Sequence, residues 1–310
     1  MSSDRLSEIF AIQKQFIEKY FVEQQGAHYA NLSKEDKVKW SKEYLLCCVN
    51  ELMETLNEIK WKKHRFIHKD DNIDNFVEEL VDTFKFMLNL LLIHGCDEEK
   101  FFEKFVDKSK VVEIRYEQEK KLKELRNKKD VKLAVIDIDG IICAHSQSFL
   151  ELCKVDYKTI YDFKNNDIAL YNKCKHDFRI NGHKKHAQLI INISGFLQTL
   201  KDKGYLVLLL TARPYEKIIR LYADTLYWLE SNGLKYDFLF FNKAKEQFII
   251  DNLSAEQVSF CIDDEIDNVN KLCLYFKTYL IPNYYLYDRR ELNKVNHKVT
   301  IIDSINDIKL

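Results

Sequence analysis

Proline and glycine are scarce in this 310-residue chain, two and seven in all, so few positions are built to end a helix or force a turn. That scarcity excludes collagen-like and low-complexity architectures and favours helix-rich packing. Eight cysteines occur without one CxxC pair, so reduced thiols are expected, with adjacent Cys47 and Cys48 as core residues. An excess of charge is missing as well. The 48 basic and 49 acidic side chains leave a net charge of −1, and nothing in that balance points to nucleic acid or an anionic membrane as a partner. The longest apolar run, around Phe86 to Ile93, is broken by Asn89 and falls well short of the roughly 20 residues that span a bilayer. The polar opening MSSDRLSE has no apolar run behind it, so no secretory signal and a cytoplasmic location are expected.

What is present follows two rhythms. Over 4–25, 34–61, 74–94 and 97–127 apolar residues recur at helical spacing, with Ser33 and Asp36 as an N-terminal cap and Gly95 as a stop. This half reads as an all-α helical bundle, and the charged segment 119–132 as a helix tail serving as a stiff linker. After Val131 short β-rich runs alternate with helical stretches: KLAVIDI, YLVLLLT, YDFLFF, QVSFCID and FKTYLIP. Such alternation implies βαβ units and a mostly parallel sheet covered on both faces. The expected organisation is therefore multidomain, an all-α domain over 1–128 and an α/β, Rossmann-like domain over 129–310.

In AVIDIDGIICAHS (134–146) an apolar run ends in Asp137 and Asp139, which share one face of a strand, and Gly140 then lets the chain turn away. Two like charges so placed need a cation, a shared proton or water; a capped strand end with solvated acids is the plainer alternative. Thr211 and Arg213 follow the second run, and Asp263 and Asp264 the fourth. Ligands of open parallel sheets sit outside the carboxyl ends of the strands. Lys245, at the start of a predicted helix, reaches the same edge. Convergent carboxylates, a hydroxyl and a lysine make a place for Mg²⁺ and a phosphoryl group.

With DIDG (137–140), LLLTARP (208–214), Lys245 and IDDEIDN (262–268), the C-terminal half resembles the haloacid dehalogenase (HAD) superfamily phosphatases over roughly 131–305. The resemblance implies Asp137 as a nucleophile forming an aspartyl-phosphate and Asp139 as acid and base. It further implies Thr211 on a phosphoryl oxygen, Lys245 neutralising phosphate and nucleophile, Arg213 toward substrate, and Mg²⁺ held by Asp137, Asp139, Asp263 and Asp264. Ile141 stands where the family most often has Thr. The segment between Ile142 and Ile193 fits a small cap or an insertion. Its Cys174, His176, His183 and His186 allow a zinc site, against a basic, substrate-facing loop as the alternative.

In the helical half, Glu51 with Glu54 and Glu79 with Asp82 stand at i and i+3, so each pair shares a helix face. The neighbours Leu45, Leu46, Val49, Leu52 and Leu56, and Phe76, Val77, Leu80 and Val81, are apolar, which places the acids near a packed face. Four carboxylates there call for divalent cations, and Lys60, Lys62, Lys63 and Arg65 suit a triphosphate.

The ExxE and ExxD pairs, with Gln13, Trp40, NE-IKWKK and DKSKVVEIR (107–115), resemble the all-α nucleotide pyrophosphohydrolases, and among them the dimeric dUTPases, over about 5–120. By that resemblance Glu51, Glu54, Glu79 and Asp82 bind Mg²⁺, Glu54 orients the attacking water, Lys62, Lys108 and Arg115 hold phosphates, and Gln13 faces the base. Val112, Ser109 and Lys85 depart from the family pattern, which leaves base specificity open. The fusion implies a bifunctional hydrolase that cleaves a dNTP to dNMP and pyrophosphate and then dephosphorylates a nucleoside monophosphate. Action of the phosphatase on polynucleotide ends, or a helical half that only dimerises, are the alternatives. A homodimer through the helical half is expected, using Phe84, Phe86, Leu88 and Leu91.

Overall fold

The computed structural model describes residues 4–62, 64, 70–128, 130–218 and 220–310. The chain divides into two compact units, Met1–Ser109 and Lys110–Leu310. The first holds α1 (Arg5–Gln25), α2 (Lys34–Asn57), α3 (Ile73–Ile93) and the opening turns of α4 (Glu98–Leu125). Helices begin where the sequence supplies an acceptor for orphaned amides: the side chains of Asp4, Ser33 and Asn72 accept from the N–H groups of Leu6, Asp36 and Asn75. α2 stops at Asn57, short of the periodic stretch to 61, because the Lys60 amide donates to Asp71 Oδ1 at 2.8 Å and the Glu58 carbonyl accepts from Asn72.

Phe10, Ile17 and Phe21 of α1, Tyr44 of α2 and Leu88, Leu92 and Ile93 of α3 form the core of this unit. Leu88 belongs to that core and Phe84, Phe86 and Leu91 pack against it, so the expected dimer face is used up inside the bundle. Conversely Leu45, Leu46, Val49, Val77, Leu80 and Val81, expected to bury the acidic pairs, are exposed. Periodicity shows that a helix has an apolar face; it does not show which neighbour covers it.

The second unit is built on six parallel strands: β1 (Lys132–Ile136), β2 (Tyr205–Thr211), β3 (Phe238–Phe241), β4 (Val258–Asp263), β5 (Thr278–Leu280) and β6 (Thr300–Ile301), in the order β3-β2-β1-β4-β5-β6. Five of them coincide with the runs read from the sequence. β6 has only two residues, both exposed, too short to stand out as a strand in the sequence. Between β1 and β2 lie α5 (His145–Cys153), α6 (Ile160–Asn166), α7 (Ile168–Ile180), a 3₁₀ turn His183–His186 and α8 (Ile193–Asp202). The small insertion has its own core of Phe149, Ile160, Phe163, Tyr171 and Phe178. α9 (Arg220–Ser231), α10 (Lys245–Asn252) and α11 (Ile266–Leu272) complete the crossovers.

Side chains alternate along each strand, so two clusters cover the two faces of the sheet. Ile136, Leu209 and Phe260 meet Phe196, Leu197 and Trp228 on one face, and Val135, Leu208, Leu210 and Cys261 meet Ile249 on the other. Each such side chain contributes roughly 1.5–3 kcal/mol when fully buried. Leu122 and Leu125 of α4 join the second cluster, and Gln118 Oε1 accepts from the Leu239 amide at 3.0 Å, so the helix tail covers an edge strand instead of running free as a linker. The change of rhythm near residue 129 thus marks where β structure begins, and the division at Ser109/Lys110 marks where packing on the sheet begins.

Candidate active site

Asp137 comes immediately after β1, Thr211 ends β2, and Asp263 ends β4 with Asp264 next. Parallel strands carry all four to one edge of the sheet. Strand order reverses between β1 and β4, the switch point where an open sheet leaves a crevice for a ligand. Carboxylate oxygens of Asp137, Asp263 and Asp264 lie within 4.8 Å of one another, and all three residues are buried. Lys245, the first residue of α10, donates from Nζ to Asp137 Oδ1 at 2.6 Å and to Asp263 Oδ2 at 2.5 Å. The amide of Glu265 and the side chain of Asn268 also donate to Asp263, and Asn283 Nδ2 donates to Asp264 Oδ2 at 2.7 Å.

One ammonium among three buried carboxylates leaves the group short of positive charge. Burial outweighs the Lys245 ammonium and, with repulsion from Asp263 and Asp139, pushes the Asp137 carboxyl above its usual range. Burial, then Asp137 and Asp263, push Asp264 well above that range. An all-oxygen set of this charge fits a hard divalent cation such as Mg²⁺, with Asp137, Asp263 and Asp264 as its carboxylate holders. Gly140 makes the set possible: its φ is +94°, and a Cβ there would collide with the Asp264 carboxylate and lie 2.8 Å from Asn283 Nδ2.

The Asp139 carboxylate has different partners from the metal set. Arg213 Nη2 donates to Oδ1 at 2.6 Å and Nε to Oδ2 at 3.0 Å, while Lys184 Nζ donates to Oδ2 at 2.7 Å. Burial would raise this carboxyl, but Arg213 and Lys184 hold it well below the usual range. Burial in turn pushes Lys184 down to about 8 against the pull of Asp139. Arg213, expected toward substrate, is spent on Asp139 and on Thr225 Oγ1 at 2.7 Å. Thr211 is buried, and its hydroxyl accepts from the Arg213 amide at 3.4 Å.

Lys184, Asn283 and Asn268 were not singled out from the sequence. Asn283 follows the fifth apolar run, so the strand-end rule that found the aspartates applies to it as well. Nothing in the basic stretch KKH separates Lys184 from its neighbours. Among the described residues the zinc alternative finds no cluster: Cys174 and the three histidines are in neither group of close ligand atoms.

In the first unit, carboxylate oxygens of Glu51, Glu54 and Glu79 also lie within 4.8 Å of one another. Partial burial, then Glu54 and Glu51, raise the Glu79 carboxyl. Asp82 stands outside this cluster with its Oδ1 3.0 Å from Lys85 Nζ. Gln13 is buried and donates from Nε2 to Asn89 Oδ1 at 2.7 Å, which ties it to the bundle interior. Lys62 Nζ lies 4.9 Å from the Trp61 ring centroid, and Lys108 is exposed. Arg115 belongs to the second unit, with its guanidinium 5.3 Å from the Tyr215 ring centroid. Lys63 and Arg65 lie outside the described residues.

Several solved structures resemble this chain. A dehalogenase matches 58% of the chain and 96% of its own length at 12% identity and a TM-score of 0.40. A haloacid dehalogenase-like family hydrolase from Streptococcus pneumoniae matches 57% and 96% at 11% identity and a TM-score of 0.39. A predicted phosphatase from Clostridium acetobutylicum matches 57% and 95% at 13% identity and a TM-score of 0.42. No protein-family model matches the sequence, and no curated protein does.

Proposed function

We propose that the second unit is a Mg²⁺-dependent phosphomonoesterase of the haloacid dehalogenase type, with Asp137 as nucleophile. The observation that supports it most is the Lys245 ammonium between Asp137 and Asp263, beside Asp264, at the switch point of the sheet. Asp137, Asp263 and Asp264 would hold Mg²⁺, whose charge would offset their mutual repulsion and that of an incoming phosphoryl group. Lys245 fixes one oxygen of Asp137, which leaves the other to attack phosphorus. Asp139, held as a carboxylate, suits the withdrawal of a proton from the water that cleaves the aspartyl-phosphate. To protonate the leaving oxygen beforehand, it has to loosen its pair with Arg213. Nucleotide phosphomonoesters, a deoxynucleoside monophosphate among them, are the substrates of this reading. Hydrolysis of 4-nitrophenyl phosphate should require Mg²⁺ and vanish in Asp137→Asn; normal turnover in that variant overturns the assignment.

The clustered Glu51, Glu54 and Glu79 favour a companion activity in the first unit, a Mg²⁺-dependent dNTP pyrophosphohydrolase resembling the dimeric dUTPases. These three carboxylates would hold the metal there, with Asp82 at their margin. The products are a deoxynucleoside monophosphate and pyrophosphate, so the chain would act as a bifunctional cytoplasmic hydrolase, dimeric through its helical unit.

A further inference from the structure

α7 carries Lys175 and Arg179 one turn apart on one helix face, both partly buried. Two like charges at that spacing repel, and burial worsens the repulsion. Among the described residues neither has an acidic hydrogen-bond or ion-pair partner: Lys175 Nζ donates to the Tyr171 hydroxyl at 2.5 Å, and the Arg179 guanidinium has no such contact. Their helix packs beside the carboxylate site. Phe178, next to Arg179 on this helix, packs 5.2 Å from His145 and has the Lys184 ammonium 5.8 Å from its ring centroid, and Lys184 is the residue bonded to Asp139. The charge of Asp139 acts on Arg179, and that of Glu265, next after Asp264, acts on Lys175. Lys164 of α6 and Lys243, two residues before Lys245, add their fields to Lys175. The charges of Arg179, Lys164 and Lys243 thus all reach Lys175, with Glu265 as the nearby acid.

From this geometry we infer a second anion site on α7, built by Lys175 and Arg179, that binds another phosphate on the leaving group. The inference rests on the phosphatase reading for where the first phosphate sits, and it narrows the substrate class to phosphomonoesters that carry a second phosphate. That second phosphate is either a free one, as in a nucleoside 3′,5′-bisphosphate, or the diester beside a phosphorylated strand end. An anion there relieves the repulsion between Lys175 and Arg179 and accepts charge-assisted hydrogen bonds from both.

The test compares thymidine 3′,5′-bisphosphate, 5′-phosphorylated thymidine dinucleotide and thymidine 5′-monophosphate with the full chain and Mg²⁺. The wild-type protein should prefer one of the first two over the monophosphate by about tenfold or more in kcat/KM, the scale of one charge-assisted hydrogen bond. The better of the two identifies the source of the second phosphate. In Arg179→Gln and in Lys175→Gln the ratio should fall severalfold, and in the double variant toward unity; a ratio is insensitive to a general loss of activity or of folded protein. Lys203→Met, at the opposite edge of the sheet before β2, should keep the wild-type ratio. Equal kcat/KM for all three substrates in the wild type, or an unchanged ratio in the double variant, overturns the inference. Should the wild type hydrolyse none of them, the phosphatase reading fails. Calorimetric binding of the bisphosphate and the monophosphate then decides the anion site by the same ratio, and equal affinities overturn it.

Discussion

Lys245 places its one ammonium between two buried carboxylates, and its replacement isolates the contribution of that charge. Lys245→Met should destabilise the protein by about 3–5 kcal/mol, the cost of stripping one partner from a buried ion pair, as read from urea unfolding. A loss below about 1 kcal/mol would show that the cluster sheds its charge by other means. Protonation is the alternative, and its sign can be followed. Folding raises the carboxyls of Asp137 and Asp264, so the folded chain holds protons there at pH values where the unfolded chain, near the ordinary ~4, has released them. Between those values stability falls as pH rises. Asp139 shifts the other way, and its contribution is complete above the ordinary range and lost only in strong acid. The chelated protein should therefore lose stability through Asp137 as pH rises from about 4 to about 7, and Mg²⁺ should raise the Tm markedly above that window and little near its lower end. A Mg²⁺ effect that grows toward low pH would contradict this. Four members of the site, Asp137, Lys245, Asp263 and Asp264, were legible because each ends or opens an element whose rhythm is plain. The surroundings of Asp139 were not legible, since its partners Lys184 and Arg213 lie 45 and 74 residues away and no local pattern records their approach.

Among the elements, α2 and α3 illustrate what periodicity can and cannot carry. Their existence and the cap at Ser33 follow from local chemistry, and i,i+3 spacing puts Glu51 beside Glu54; that Glu79 joins them, and its own i+3 partner Asp82 stays out, depends on how the helices face each other. Which apolar face meets the core does not follow from local chemistry, because both helices are apolar on more than one side; Leu88 is buried while Leu46 is 67% exposed. Gln13 was equally opaque, its amide being taken by Asn89 on a helix far along the chain. If the acidic cluster holds Mg²⁺, Glu79→Gln should slow pyrophosphate release from the preferred dNTP by roughly a hundredfold, the scale of one lost electrostatic contact at a reacting centre. Undiminished release would remove that activity from these helices. The β1–α5 turn is a second case: Gly140→Ala should cost about 1–3 kcal/mol for a strained left-handed residue and should also abolish the Mg²⁺-dependent rise in Tm, because the Asp264 carboxylate has to move.

At the scale of the whole molecule, the α/β architecture was legible from alternation alone, whereas the covering of the edge strand by the tail of α4 was not, since a charged helix end reads as a linker until its two leucines are seen on the sheet. α2 and α3 leave Leu46, Val49, Val77 and Val81 each more than half exposed, apolar side chains that a partner could cover. A dimer is expected in light scattering at micromolar concentration, with Leu46→Lys and Val81→Lys together giving a monomer; a wild-type monomer would refute it. Asp137→Asn should leave pyrophosphate release intact, as separate sites require. Whether Asp137 carries the phosphoryl group is decided by peptide mapping of protein quenched in acid during turnover of 4-nitrophenyl phosphate with Mg²⁺. The mass of one phosphoryl group is expected on the peptide bearing Asp137 and is lost in Asp137→Asn; steady turnover with the label on another residue, or persisting in that variant, rules Asp137 out as the nucleophile.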